Sequence, residues 1–355
     1  MKRRSFLMGV SGAMSAGVLG AHTASGEETP LSAAAETQVE GLPRRVLGRT
    51  GASISVVGFP GLALRHYEQP ECTAGLHKAF DQGLNYYDVA PAYGRDGECE
   101  IKMGIGLQGL DRSEYFLSCK TKMRDKEGAR EELERSLKRL KTDHFDLYQL
   151  HCLKRPEEVA EALGPGGAME TILKAKEEGK IKHIGFSAHT TKAAIAALND
   201  FAFDTCMFPI NFVEYYTIGF GKPVLKLAAE KGVAVISIKP VSRGRWPQGM
   251  ERTRQWWYRP VEDEKEMLLA MRFVLSQEGV VTGIPISFLD ILDKTIAAAR
   301  DFKPITDEET EEVRRLAATC ESVFLREEQQ VARNIPADHP VYPDSPHECC
   351  GRHYV

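Results

Sequence analysis

Eight short apolar runs, each followed by a segment with helical patterning, alternate along about 250 residues of this 355-residue chain. Each run has the length of a strand, and the segments between them have the spacing of amphipathic helices. The runs are Val56–Gly58, Asn85–Asp88, Phe116–Lys120, Phe145–His151, Ile184–Ser187, Cys206–Phe212, Ala234–Pro240 and Val280–Pro285. This alternation predicts an α/β fold, a (β/α)8 TIM barrel. The alternative is a doubly wound sheet, which would require an early G-x-G-x-x-G turn that the sequence lacks.

Two further features flank the barrel segments. Before them, Arg45–Ser55 has two short apolar pieces around a Gly-Arg-Thr-Gly turn, which predicts an N-terminal β-hairpin. After them, four prolines and scattered aromatic residues indicate an irregular C-terminal tail. We therefore expect a barrel over residues 44–316 and a C-terminal extension over residues 317–355 that covers or flanks the barrel mouth.

The N-terminus has the pattern of a targeting segment. Arg3-Arg4 precedes Phe6-Leu7 and a weakly apolar run rich in Gly, Ala and Ser, so residues 1–26 resemble a twin-arginine signal peptide. Residues 27–43 have the composition of a polar linker. A spanning helix would need about 20 strongly apolar residues. We therefore expect export to the periplasm by the twin-arginine export machinery, without a stable membrane anchor.

The net charge limits the kinds of partner that the chain can bind. The net charge of −4 and the pI near 6.2 give no basic surface for nucleic acid, which leaves small molecules or other proteins as partners.

Cys119, Cys152 and Cys206 stand in or beside apolar runs, where a cysteine is most often a buried thiol. The vicinal Cys349-Cys350 pair stands near two histidines, which leaves a disulfide, metal or redox tail open, but no metal site is predicted because vicinal cysteines close a tetrahedral site poorly. The oligomeric state stays open.

Polar residues stand at the same end of four successive runs. Asp88, Lys120, His151 and Ser187 are each at the carboxyl end of a run, and Tyr93 follows in the loop after Asp88. Catalytic groups of TIM barrels lie at the carboxyl ends of the strands. The sequence therefore predicts an active site built from these side chains, although each of them singly could be an ordinary ion pair or core residue.

Four segments in this order resemble the aldo-keto reductase family: R-V-L-G-R-T-G, Y-Y-D-V-A-P-A-Y-G, L-E-R-S-L-K-R-L-K-T-D-H-F-D-L-Y-Q-L-H and I-K-H-I-G-F-S-A-H. The resemblance runs from about Arg44 to Leu316. It implies hydride transfer between NAD(P)(H) and an aldehyde, ketone or alcohol. The family's catalytic residues correspond to Asp88, Tyr93, Lys120 and His151.

The same chemistry follows from the residue types. Reduction of a carbonyl leaves negative charge on oxygen, and Tyr93 could supply the proton. A tyrosine has a pKa near 10, so a cation such as Lys120 is needed beside it. Asp88 would keep the lysine charged, and His151 would set the substrate's angle.

The resemblance also implies a cofactor site. Ser187, His189 and Asn211 are expected near the nicotinamide carboxamide, with Ala188 and Met207 standing where many members have asparagine and glutamine. Residues on the loops after the seventh and eighth runs are expected near the diphosphate and ribose: Lys239, Ser242, Arg243, Gly244 and Ser287. NADP(H) is favoured over NAD(H) as a family expectation.

Two other functions of the chain and the role of one insert stay open. The chain could be a non-catalytic nucleotide-binding barrel that senses redox state or binds a partner. A glycoside hydrolase ranks last, because it needs two facing carboxylates and Asp88 is matched with a lysine. The insert Gln248–Arg259 carries Trp256, Trp257 and Tyr258, which suit either a pocket wall or an interface anchor.

Overall fold

A computed structural model describes residues 41–335 of the chain. The proposed signal peptide, all but the last residues of the linker, and the tail with Cys349-Cys350 lie outside these residues. Within them, no helix is long and apolar enough to cross a membrane.

The described chain contains two sheets and a set of α-helices. The strands are β1 Arg44–Val46, β2 Ser53–Ser55, β3 Phe59–Pro60, β4 Tyr86–Asp88, β5 Phe116–Thr121, β6 Phe145–Leu153, β7 Ile181–Ala188, β8 Thr205–Pro209, β9 Ala234–Ile238 and β10 Val280–Ile284. The helices are α1 Gln69–Asp81, α2 Glu98–Gly106, α3 Lys126–Leu140, α4 Pro156–Leu163, α5 Ala168–Glu177, α6 Thr191–Asp200, α7 Phe212–Thr217, α8 Lys222–Glu230, α9 Glu264–Leu275, α10 Leu289–Arg300, α11 Asp307–Ala318 and α12 Leu325–Ala332.

Strands β3 to β10 form one parallel sheet in sequence order. The two edges meet where Gly58 N–H donates to the Gly283 carbonyl and Gly283 N–H donates to the Val56 carbonyl, both at 3.0 Å. These bonds close the sheet into a barrel. The predicted (β/α)8 TIM barrel is confirmed.

The predicted N-terminal hairpin is confirmed as well. Strands β1 and β2 pair antiparallel, and Leu47 and Ile54 from this hairpin pack against inward-facing barrel residues such as Phe116 and Leu147. The hairpin thereby closes the barrel at the end away from the carboxyl termini of the strands. The interior is a packed core, so chemistry is confined to the opposite mouth.

Helix α3 shows how local sequence sets the outer layer. Asp125 caps its start by accepting the Gly128 N–H at 2.7 Å, and the helix ends at Lys141, whose φ of 53° is left-handed. Ala129, Leu133 and Leu137 repeat every four residues and are buried on one face. This face packs the helix on the sheet beside β5.

The predicted end of one strand was wrong, and two helices were not predicted. The sixth run was predicted as a strand through Phe212, but β8 ends at Pro209 because Asn211 starts α7 by accepting the Glu214 N–H at 3.0 Å. Helix α4 was not predicted. Helix α12 was not predicted either, and the proline-bearing tail that was predicted to be irregular lies outside residues 41–335.

The cysteines of residues 41–335 form no disulfide with one another. Cys119, Cys152 and Cys206 are buried, as predicted. Within residues 41–335 no group of three or more His, Cys, Asp or Glu side chains is arranged to hold a metal ion.

Candidate active site

The structure brings Asp88, Tyr93, Lys120 and His151 together at the barrel mouth. Strands β4, β5 and β6 are parallel neighbours, so Asp88, Lys120 and His151 project from the same edge. The Lys120 Nζ lies 2.5 Å from the Asp88 Oδ2 and 4.9 Å from the centroid of the Tyr93 ring. The Tyr93 and His151 rings meet edge to face, with centroids 5.6 Å apart.

This quartet is almost completely removed from solvent. Lys120 is 0% exposed and Asp88 2%. Lys120 also donates to the Val89 carbonyl at 3.1 Å, so its ammonium has two buried acceptors. Burial raises the pKa of Asp88, while the Lys120 charge and hydrogen bonds from Lys120 and Ser118 oppose that rise. The result is a buried ion pair whose cation faces a phenol.

Two residues of this network were missed by the sequence analysis. The Ser118 hydroxyl donates to Asp88 Oδ1 at 3.1 Å, and the Gln149 Nε2 donates to Ser118 Oγ at 2.9 Å. Both side chains are 0% exposed. The signal that could have found them is their position, two residues before Lys120 and His151, where strand alternation turns a polar side chain toward the barrel interior.

A glycine allows the first loop to approach the quartet. A Cβ added at Gly61 would lie 2.2 Å from the Asp88 carbonyl oxygen, inside van der Waals contact. Gly61 therefore lets the segment after β3 pass directly over the end of β4, where it lines the cavity beside Tyr93.

The cavity at the mouth has a volume of about 50 Å³ and reaches Asp88 and Tyr93. Its opposite wall includes Trp256 and Tyr258 from the insert, whose rings meet edge to face with centroids 6.0 Å apart. They are 4% and 2% exposed. The structure therefore places these aromatic residues in the pocket wall and leaves them little surface for an interface.

The predicted carboxamide residues lie at the ends of β7 and β8. Ser187 Oγ accepts the Cys152 N–H at 2.7 Å, and its own proton can still be donated. Asn211 uses Oδ1 to cap α7, while its buried Nδ2 has no hydrogen-bond partner among the described residues. An unused buried amide donor fits a nicotinamide carboxamide, which offers a carbonyl acceptor. His189 is buried with Nδ1 3.5 Å from the Cys152 Sγ.

The residues predicted near the diphosphate divide into two groups. Lys239 and Ser287 line the cavity at the mouth. Ser242, Arg243 and Gly244 bind within the protein: Ser242 Oγ accepts the Gly244 N–H at 3.2 Å, and Arg243 pairs with Glu266 at 3.2 Å. The structure therefore brings only the first group to the cavity near Tyr93.

The C-terminal extension is anchored beside these loops. Glu214 of α7, fully buried, accepts hydrogen bonds from the Ser322 hydroxyl and, at 2.7 Å, from the Val323 N–H. Phe324 stacks on Phe220 with centroids 5.0 Å apart. Burial raises the Glu214 pKa to about 7, against which the hydrogen bonds from the extension act.

Comparison with known proteins agrees with this geometry. The sequence profile of the Aldo/keto reductase family matches residues 58–318. L-galactose dehydrogenase of Arabidopsis thaliana is 30% identical over 224 residues, which are 56% of this chain and 66% of that protein. 6-dehydroglucose reductase of Novosphingobium aromaticivorans is 31% identical over 176 residues, 44% of this chain and 55% of that protein. The chain spans between about half and two thirds of the length of these relatives.

Solved structures show the same fold. An aldo-keto reductase from Bacillus halodurans in its holo form superposes with a TM-score of 0.64 at 23% identity, covering 80% of this chain and 99% of that one. An aldo/keto reductase from Klebsiella pneumoniae in complex with NADP and acetate gives 0.60 at 22% identity, covering 77% and 94%. The family profile covers most of the barrel, and the chain belongs to the aldo/keto reductase family.

Proposed function

We propose that the chain is a nicotinamide-dependent oxidoreductase that interconverts an aldehyde or ketone and the corresponding alcohol, with Tyr93 as general acid and base. The observation that carries this proposal is the buried Asp88–Lys120 ion pair, whose ammonium lies 4.9 Å from the centre of the Tyr93 ring. A phenol with a pKa near 10 transfers protons at neutral pH only beside such a positive charge.

Each side chain has a task in this proposal. A bound nicotinamide supplies or accepts the hydride. When the carbonyl oxygen gains negative charge, Tyr93 donates its proton; in alcohol oxidation, the Tyr93 phenolate takes a proton from the hydroxyl. His151, packed against the Tyr93 ring, hydrogen-bonds the same oxygen and fixes its direction. Trp256 and Tyr258 exclude water from the cavity.

We place the nicotinamide carboxamide at Ser187 and Asn211, because Asn211 Nδ2 is a buried donor with no partner in the described chain. NADP(H) is proposed ahead of NAD(H), since the Klebsiella relative was solved with NADP. Fluorescence titration of the purified protein with NADPH and NADH, in parallel, measures the two dissociation constants. Tighter binding of NADH would reverse this preference.

Carbohydrates are the substrates to test first. Two relatives are named for sugar oxidoreduction, and the aromatic rings of Trp256 and Tyr258 line the cavity. A panel of aldoses, short aldehydes and ketones, each assayed in both directions, covers the proposed chemistry. Nucleotide binding without turnover of any of these compounds would support the non-catalytic alternative.

Export is part of the proposal and concerns residues outside the described structure. The Arg3-Arg4 pair and the run that follows it support a twin-arginine signal, with a periplasmic mature protein. We expect the mature protein, purified from the exported fraction and denatured, to release stoichiometric nucleotide identifiable by mass. Retention of the full-length chain in the cytoplasm would contradict the proposed location.

The proton donor is tested by Tyr93→Phe, which keeps the ring and removes the hydroxyl. We expect kcat to fall about 10²-fold to 10⁴-fold in both directions, with cofactor binding retained. Tyr215→Phe is the matched control, because Tyr215 lies on α7 outside the cavity and is expected to leave kcat unchanged. Full turnover by Tyr93→Phe with cofactor still bound would refute the assignment.

A further inference from the structure

We infer that Ser118 and Gln149 are positioning residues that hold Asp88 as a carboxylate and so set the pH range in which Tyr93 exchanges its proton. This inference rests on the proposed function and adds two residues to it. Neither residue contacts the mouth cavity, since both lie inside the barrel with 0% exposure.

The sheet register fixes the geometry. Asp88 is paired with Ser118 across β4 and β5, and Lys120 is paired with Gln149 across β5 and β6. The Ser118 hydroxyl therefore lies beside Asp88, 3.1 Å from Oδ1, while Oδ2 of the same carboxylate binds Lys120 at 2.5 Å. Gln149 reaches Ser118 Oγ at 2.9 Å from the other side.

The directions of the hydrogen bonds among Gln149, Ser118 and Asp88 follow from which groups can donate. An ionised carboxylate only accepts hydrogen bonds, and a serine hydroxyl has a single proton to donate. The Gln149 amide N–H donates to Ser118 Oγ, and the Asp88 carboxylate can only accept, so the Ser118 hydroxyl proton points at Asp88. Gln149 thus orients Ser118, and Ser118 stabilises the charged form of Asp88.

The charge on Asp88 needs this support because burial opposes it. The ionisable groups around Asp88 are Lys120 on β5, Tyr86 on its own strand, and Tyr93 and Lys239, which line the same cavity as Asp88, with His151 packed on the Tyr93 ring. Tyr86 stays neutral, since complete burial and the Asp88 charge raise its pKa. Lys120 is the cation bonded to the carboxylate, and the Ser118 hydroxyl is the second side-chain donor to it.

The link to Tyr93 runs through the lysine. The Asp88 carboxylate and the Val89 carbonyl are two acceptors that hold the Lys120 ammonium 4.9 Å from the centre of the Tyr93 ring. Loss of the Ser118 bond leaves Asp88 less firmly fixed, so the ammonium is held less firmly beside the ring and the phenol ionises at higher pH. Alcohol oxidation, which requires the phenolate, falls at a given pH, while carbonyl reduction in acidic buffer is nearly unchanged.

The test compares pH profiles of kcat in both directions for the wild type, Ser118→Ala and Gln149→Met, at saturating cofactor. At saturating cofactor, we expect the pH at which the oxidation rate rises to move upward by about one unit in Ser118→Ala. A hydrogen bond to a charged group is worth about one to two pH units at Asp88, and its effect reaches Tyr93 only through Lys120. Oxidation below this pH then falls about tenfold. Gln149→Met moves this pH in the same direction by less.

Thr205→Val is the matched control. Thr205 is a fully buried hydroxyl on β8 at the level of Gly185, and its replacement is expected to leave the pH at which oxidation rises unchanged. Thermal melting of each variant separates loss of fold from loss of function. If Ser118→Ala does not accumulate as folded protein, the pH profile of Gln149→Met tests the positioning role instead, because this variant leaves Ser118 and Asp88 in place.

The positioning role and the proposed function are refuted by different results. The positioning role is refuted if the pH at which oxidation rises is the same in Ser118→Ala, Gln149→Met and the wild type. It is also refuted if oxidation and reduction fall equally at every pH. Either result leaves the proposed function intact. Full turnover by Tyr93→Phe would refute the proposed function itself.

Discussion

Glu214→Gln is the change whose effect on stability follows most directly from the structure. Glu214 is fully buried on α7 and accepts the Ser322 hydroxyl and the Val323 N–H of the extension. Burial raises its pKa from 4.5 to about 7. Glutamine has the same shape, keeps one carbonyl acceptor and never ionises.

The sign follows from proton linkage. Because the folded pKa lies above the unfolded one, the folded state binds the proton more tightly between about pH 4.5 and pH 7. The contribution of Glu214 to stability is present below pH 4.5 and is lost as pH rises through 7. The two values differ by about 2.5 pH units, which corresponds to about 3 kcal/mol.

The assay is denaturant unfolding of both proteins between pH 4.5 and pH 8. Burial also raises the pKa of Glu100 and Glu328, so the informative quantity is the difference in unfolding free energy between wild type and Glu214→Gln at each pH. We expect this difference to change by about 3 kcal/mol in favour of the variant as pH rises. Glu230→Gln, at an exposed position, is the control. A difference that stays constant with pH would refute the reasoning.

Two further predictions concern the mouth of the barrel. Lys120→Met leaves Asp88 buried without its cation. We therefore expect the unfolding free energy to fall by about 3–5 kcal/mol and alcohol oxidation to be lost. An unchanged denaturation midpoint and an unchanged oxidation rate would contradict this. Trp256→Ala removes part of the cavity wall, so steady-state kinetics are expected to show a raised KM with a smaller change in kcat, and a loss confined to kcat would argue against a substrate-binding wall.

The barrel and the position of the quartet could be predicted from the sequence for one physical reason. Parallel strands that follow one another in the chain also lie side by side, so polar residues at the ends of three successive runs must meet at one edge. The order of the strands alone therefore predicts that Asp88, Lys120 and His151 lie together.

Other parts could not be predicted because they depend on contacts between distant segments. Strand alternation indicates that Ser118 and Gln149 point inward, but the hydrogen bonds that join them to Asp88 depend on the register between strands. The anchoring of Ser322 by Glu214 joins segments 108 residues apart and leaves no local pattern. The end of β8 depends on whether Asn211 extends a strand or caps a helix, and both suit its neighbours.

The closure of the sheet between Val56–Gly58 and Gly283 has a consequence for folding. These residues stand at opposite ends of the barrel sequence, so the seam forms only when nearly the whole barrel has been synthesised. Until then β3 and the last strand formed are open edges that can pair with another chain. Substitutions that weaken the seam are therefore expected to lower the yield of monomeric protein on refolding more than they lower catalysis in the molecules that have closed.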